Sequence, residues 1–199
     1  MNNTDLYKRM EFIKEVEKLK LIFRQNVVID GSRQENSAEH SWHIALMAIV
    51  LSEYSDSKEI DLLRVLKMLL IHDIVEIDTG DTFLYDCEAN KTKGEKEYAT
   101  ANRVFGLLPE ITKREFMSLW QEFEKRETAD ARFAAALDGL QPLMNHLLSK
   151  GQGIIKHKLK TDQIIAKKKF IEDTSKELWE FAKRVIQESE NAGLYTKGD

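Results

Sequence analysis

Apolar residues in this chain recur at three- and four-residue steps between short polar, glycine-bearing segments, the rhythm of amphipathic helices rather than of alternating strands. Over residues 4–24, Leu6, Met10, Ile13, Val16, Leu19 and Phe23 fall on one helical face. Residues 26–36 read as a loop, with Asp30-Gly31-Ser32 as its turn. Ser37 is a good N-cap for a second helix carrying His40, Trp42, Ile44, Met47 and Leu51. A third helix is predicted over residues 59–77, stopped by Thr79-Gly80. Residues 81–92 are long and mixed in character, which reads as a functional loop. Helices over residues 95–107 and 112–125 flank Pro109. The helix over 130–149 repeats Phe133, Leu137, Leu140, Met144 and Leu147, and after Gly151-Gln152-Gly153 the last helix spans 161–188.

Composition narrows this to an all-α chain. With 2 prolines and 9 glycines there is little punctuation for a many-stranded fold. The 199 residues suffice for one domain with a substantial core, drawn here over residues 1–190 with a frayed tail at 191–199. A net charge of −4 argues against a partner that is a nucleic-acid polymer, and the Lys167-Lys168-Lys169 run reads as a solvated helix face. The single cysteine, Cys87, rules out an internal disulfide and a Cys-rich zinc site and reads as an ordinary loop thiol. The polar start of the chain and its short apolar runs predict a cytoplasmic protein with no membrane partner.

One segment does not fit a plain core helix. His72-Asp73 lies inside the apolar run Leu69-Leu70-Ile71-His72-Asp73-Ile74-Val75-Glu76. Burial of an imidazole and a carboxylate is costly unless they are paired, hydrogen-bonded or bound to a cation. Glu76 is four residues past His72 and three past Asp73, so one helix puts all three on one face. His40 and His43 form a His-x-x-His pair from which spacing selects neither as the ligand. Asp138 sits at the edge of the apolar stripe 134–140 with no basic residue within a turn of it. On the same helix Asp130 and His146 are expected to be exposed. A mixed His and Asp donor set suits one divalent ion, Mn, Co, Fe, Mg or Zn, without selecting among them.

The order His40, His72-Asp73, Asp138 resembles the HD superfamily of metal-dependent phosphohydrolases. Arg33-Gln34-Glu35-Asn36-Ser37-Ala38-Glu39-His40-Ser41 and His72-Asp73-Ile74-Val75-Glu76-Ile77-Asp78-Thr79-Gly80-Asp81 look like its 5′-deoxynucleotidase-type branch, as does Leu19-Lys20-Leu21-Ile22-Phe23-Arg24. The similarity runs over residues 19–146. It implies a single-domain helical bundle of the HD type, with His40, His72, Asp73 and Asp138 on the metal. Glu76 and Asp81 become the acid and base carboxylates, in either assignment, and Arg24 and Arg33 hold the phosphate. The implied partners are a small-molecule phosphoester, a nucleotide above all, and a second copy of the chain in a homodimer. Two departures stand out: Gln25 replaces the tryptophan that crowds the sugar 2′ position, and Thr82-Phe83-Leu84-Tyr85 replaces a proline-containing segment.

The expected reaction is release of phosphate from a nucleoside or deoxynucleoside 5′-monophosphate by metal-activated water. A phosphodiesterase or nucleoside-triphosphate hydrolase of the same superfamily is the alternative within the enzymes. A helical binding module with a structural metal is the alternative outside them.

Overall fold

The computed structural model describes residues 3–198, apart from the side chains of Asn3, Cys87, Ala89 and Asn90. The chain is overwhelmingly helical, as its periodicity predicts, with two short strands near the start. Helix α1 covers Asn3–Val16 and tightens into a 3-10 turn at Glu17–Leu21. The chain then turns extended, so the helix expected through residue 24 stops short and Arg24 lies on a strand. Strands β1 (Phe23–Val27) and β2 (Gln34–Asn36) form an antiparallel hairpin where a loop is predicted. Val27-Val28-Ile29 favour extended backbone. Asp30 closes the connection by accepting from the Ser32 amide and hydroxyl, while Gly31 supplies the positive φ of 72°.

Helix α2 (Ser37–Leu51) is capped one residue before the expected Ser37. Asn36 accepts from the Glu39 amide at 2.9 Å and Glu39 returns a bond to the Asn36 amide, a reciprocal capping box. Helix α3 (Leu62–Ile71) is capped by Asp61, three residues later than the pattern suggests. It runs into a 3-10 segment, His72–Val75, and the single turn α4 (Glu76–Thr79), which Gly80 ends at φ 73°. Helix α5 (Cys87–Phe105) begins inside the segment predicted as a loop. The Cys87 thiol lies outside the described side chains. Helices α6 (Glu110–Lys125) and α7 (Ala129–Leu148) match their predicted spans closely.

The last predicted helix is divided. Helix α8 (Thr161–Lys168) passes through a 3-10 turn at Lys169–Ile171, and α9 (Lys176–Asn191) starts afresh with Ser175 accepting from the Leu178 amide. Residues 191–199, expected to fray, are instead tied down as far as Thr196. Leu194 and Tyr195 are buried, and Thr196 bridges to Lys160 with its carbonyl accepting from the Thr161 amide at 2.9 Å.

Helix α7 runs through the core and is flanked by α2, α3, α6 and α9. Its Ala134-Ala135-Ala136-Leu137 is buried all round, with small residues letting neighbours approach closely. Each large apolar side chain buried here, such as Phe133 or Leu140, contributes about 1.5–3 kcal/mol of transfer free energy. Much of the apolar face of the first helix is open: Leu6, Tyr7, Met10 and Ile13 are exposed, while Phe12 and, in the 3-10 turn that follows, Leu19 make the core contacts. The loop after α7 closes on β1 through Gly153, at φ 84°, where a Cβ would lie 2.6 Å from the Gln25 carbonyl. Among the described residues no helix is long and apolar enough to cross a membrane.

Candidate active site

The fold brings α2, the end of α3 and the middle of α7 together around three buried donors. One ligand atom each from His40, His72 and Asp73 lies within 4.8 Å of the others. Asp138 joins them from α7, its carboxylate 3.0 Å from His40 Nε2 and 3.9 Å from His72 Nε2. His43 faces elsewhere, its Nδ1 3.4 Å from the Gln141 amide, so geometry separates the His-x-x-His pair that spacing left open.

Both inner imidazoles are held by their outer nitrogen. His72 Nδ1 donates to the Leu69 carbonyl at 2.9 Å, and its buried Nε2 lies 3.0 Å from the Asp73 carboxylate. His40 Nδ1 is 3.2 Å from Gln141 Oε1, while the Gln141 amide nitrogen donates to Glu35 at 2.9 Å. That second bond fixes the amide's orientation, so His40 is the donor at Nδ1. Each ring therefore presents Nε2 inward toward carboxylate oxygens. A backbone or side-chain acceptor on the outer nitrogen is the usual way a metal-ligating histidine is oriented. The donor set, two imidazole nitrogens and one or two carboxylates, fits a divalent transition metal or Mg²⁺.

The electrostatics of the cluster favour positive charge. Burial works against a charged His72, yet Asp73, Asp138 and Glu76 outweigh it and lift its pKa to about 9. Burial also opposes charge on Asp73 and Asp138, but the histidines beside them and Arg24 hold both well below the usual carboxylate range. Burial, with Arg24 adding to it, pulls His40 below its ordinary value against the Asp138 carboxylate, which lies 3.0 Å from its Nε2. A cation between those atoms removes the conflict.

The 3-10 segment explains why one stretch delivers so many groups. At three residues per turn, side chains three apart eclipse one another, so Asp73 and Glu76 project along the same line. Glu76 is buried and accepts from the Ser37 hydroxyl at 2.8 Å. Burial first, then Asp73 and Asp81, push its carboxyl well above the usual range. Asp81, just past Gly80, is raised by burial and by Asp73 against the pull of Arg24.

Arg24 reaches this group from β1. Its guanidinium lies 3.0 Å from Asp73, 3.5 Å from Asp81 and 3.7 Å from Glu35. Arg33 is not brought to the site: it is exposed and forms a two-pronged pair with Glu39, at 2.6 and 2.8 Å. The centre opens into a cavity of about 370 Å³ lined by Arg24, Asp73, Glu76, Asp81 and Asp138, with Phe83, Tyr85 and Phe170 as its aromatic surface. Gln25 lines it too and accepts from His157, whose ring stacks on Phe83 at 4.3 Å.

Several residues in and around the site escape the sequence reading. Glu35 and Gln141 support the histidines from behind, and their signals are strand alternation in β2 and the three-residue step from Asp138. Lys168, expected to be solvated, is buried and lines the cavity. The signal is its spacing from Ile164 and Ile171, both buried. His146 is buried rather than exposed, and Asp130 is half-buried, accepting from the Asp61 amide.

Comparison with known proteins identifies the family. The HD domain family model matches residues 16–179. A predicted metal-dependent phosphohydrolase from Magnetospirillum magnetotacticum MS-1 superposes with a TM-score of 0.91 at 46% identity, over 98% of this chain and 100% of that one. The 5′-deoxynucleotidase HDDC2 of Xenopus laevis is 30% identical over 69% of this chain and 67% of its own length. Its Homo sapiens counterpart is 28% identical over 68% and 65%. The chain thus spans about two thirds of the length of these curated relatives. A helical bundle with His40, His72-Asp73 and Asp138 around one centre, matched by a family model over most of its length, belongs to the HD domain family.

Proposed function

We propose that this chain is a metal-dependent phosphomonoesterase that releases phosphate from nucleoside or deoxynucleoside 5′-monophosphates. The observation that carries the reading is the pair of imidazoles anchored at Nδ1, with inner nitrogens turned onto Asp73 and Asp138. His40, His72, Asp73 and Asp138 hold one divalent ion. Such an ion supplies Lewis-acid activation of phosphate and of water. The 5′-deoxynucleotidase relatives support the substrate class.

The chain's own residues do the rest. Glu76 takes the proton of the attacking water or delivers one to the leaving oxygen, and Asp81 performs the complementary transfer. Two carboxyls pushed upward by burial and by neighbouring carboxylates suit proton traffic better than ordinary ones. Arg24 orients Asp73 and Asp81 and adds positive charge where phosphoryl oxygens gather. The aromatic surface of Phe83, Tyr85 and Phe170 suits a nucleobase. Gln25, fastened to His157, leaves the sugar 2′ position uncrowded, so ribonucleotides are accepted alongside deoxynucleotides.

The test is phosphate release from a panel of ribo- and deoxyribonucleoside 5′-monophosphates, using metal-stripped protein resupplied with Mn²⁺, Co²⁺, Mg²⁺ or Zn²⁺. Metal-dependent release is expected. Silence with every ion would sink the nucleotidase reading. The exposed apolar stripe of α1, Leu6, Tyr7, Met10 and Ile13, supports a homodimer through that helix. Sedimentation should find a dimer, and a monomer for Met10→Glu; a wild-type monomer ends that part.

A further inference from the structure

Among the described residues lining the cavity, Lys168 is the buried cation that makes no ion pair. Arg24 is committed to Asp73, Asp81 and Glu35. Lys93 sits 3.4 Å from Glu97, and Arg126 is exposed and stacks over Phe170 at 4.7 Å. Lys168, the last residue of α8, precedes a 3-10 turn and continues the inward face marked by Ile164 and Ile171. The charges that bear on its ammonium are Asp138, Arg126 and Arg24, all cavity residues. A buried, unpaired ammonium costs stability, and none is needed to complete this core.

The charges of the centre say what would offset that cost. Asp73, Glu76, Asp81 and Asp138 crowd one region of the cavity. A phosphate monoester brings roughly −1.5 to −2 more at neutral pH. One divalent ion and an already committed Arg24 fall short of so many negative oxygens. We propose that Lys168 binds the substrate's phosphate, its ammonium donating to a phosphoryl oxygen that faces the cavity from the α8 side. This rests on the phosphomonoesterase reading and deepens it: the phosphate is held between a β1 guanidinium that orders carboxylates and an α8 ammonium reserved for the ligand. Arg33, at the surface, has no share in it.

The test is calorimetric titration of metal-loaded protein with inorganic phosphate, beside nucleotide turnover. Lys168→Met should weaken phosphate binding by about tenfold or more, the range for losing a hydrogen bond to a charged group. Lys168→Arg should stay within a few-fold of wild type, and so should Lys169→Met at the exposed neighbour outside the cavity. Circular dichroism checks folding, and Lys168→Gln stands in should the Met variant not fold. Phosphate binding unchanged in a folded Met or Gln variant overturns the proposal. Equal losses for Arg and Met also overturn it, since that assigns Lys168 to packing. A wild type that does not bind phosphate does the same. Phosphate binding without turnover of any nucleotide removes the nucleotidase reading and leaves Lys168 standing.

Discussion

His72 and His146 are both buried, and both rings are fixed by a hydrogen-bond partner, yet they sit in opposite electrostatic surroundings. His72 faces Asp73, Asp138 and Glu76, and its pKa rises to about 9. His146 lies between the Tyr195 hydroxyl at 2.6 Å and the Asn26 amide oxygen at 2.9 Å. Burial, with Lys168 adding to it, drives its pKa down to about 3. The first environment calls for a cation and the second disfavours charge on the ring. Burial alone therefore does not mark a histidine as chemical; the sign of the charges around it does. His146 acts as a tie, joining β1 through Asn26 to the C-terminal segment through Tyr195.

The sharpest way to test that contrast is to remove an anion from the first environment. Asp73→Ala should abolish metal retention, read by elemental analysis of the purified protein, and bring turnover to background. Full metal content in this variant would show that the cluster is not the binding centre. Glu76→Gln keeps the shape and the partner of Ser37 but cannot accept a proton. Turnover should fall by about 10²–10⁴ while metal content holds. Unchanged turnover would return the structural-metal reading.

The smallest effect belongs to the second environment. His146→Gln should leave metal content intact and lower stability by about 1–3 kcal/mol, through the unsatisfied partners it leaves. Its pH dependence has a definite sign. The unfolded chain takes up a proton as pH falls below about 6.5, whereas folded His146 refuses it until about pH 3. Stability is thus lost progressively on acidification through that window. The melting-temperature gap between wild type and His146→Gln should shrink as pH falls from about 7 to about 4; a constant gap would mean His146 titrates normally.

The residues that carry the contrast were unequally visible in the sequence. His72, Asp73 and Glu76 are adjacent or one turn apart, so their convergence follows from local geometry. Asp138 was legible because a carboxylate inside an apolar stripe requires a distant partner. His146 was not, since Tyr195 and Asn26 stand 49 and 120 positions away, and nothing local distinguishes it from an exposed histidine. The hairpin was hidden because a helical face can be drawn through Leu19 and Phe23 even as Asn26 to Ile29 turn the chain extended. Lys168 was masked by the lysines on either side, which advertise a wet surface. The position of α1's apolar face was equally beyond reach, because amphipathicity specifies that a face is apolar and leaves open what covers it.

Gly153 carries a consequence for anyone screening variants of this enzyme. It touches neither the carboxylates nor the histidines, yet any side chain placed there meets the Gln25 carbonyl and must lift the strand on which Arg24 and Gln25 are mounted. Loop thickness at that point acts as a shim under the cavity wall. A substitution at Gly153 would surface among inactive clones with intact chemistry, its fault lying in alignment.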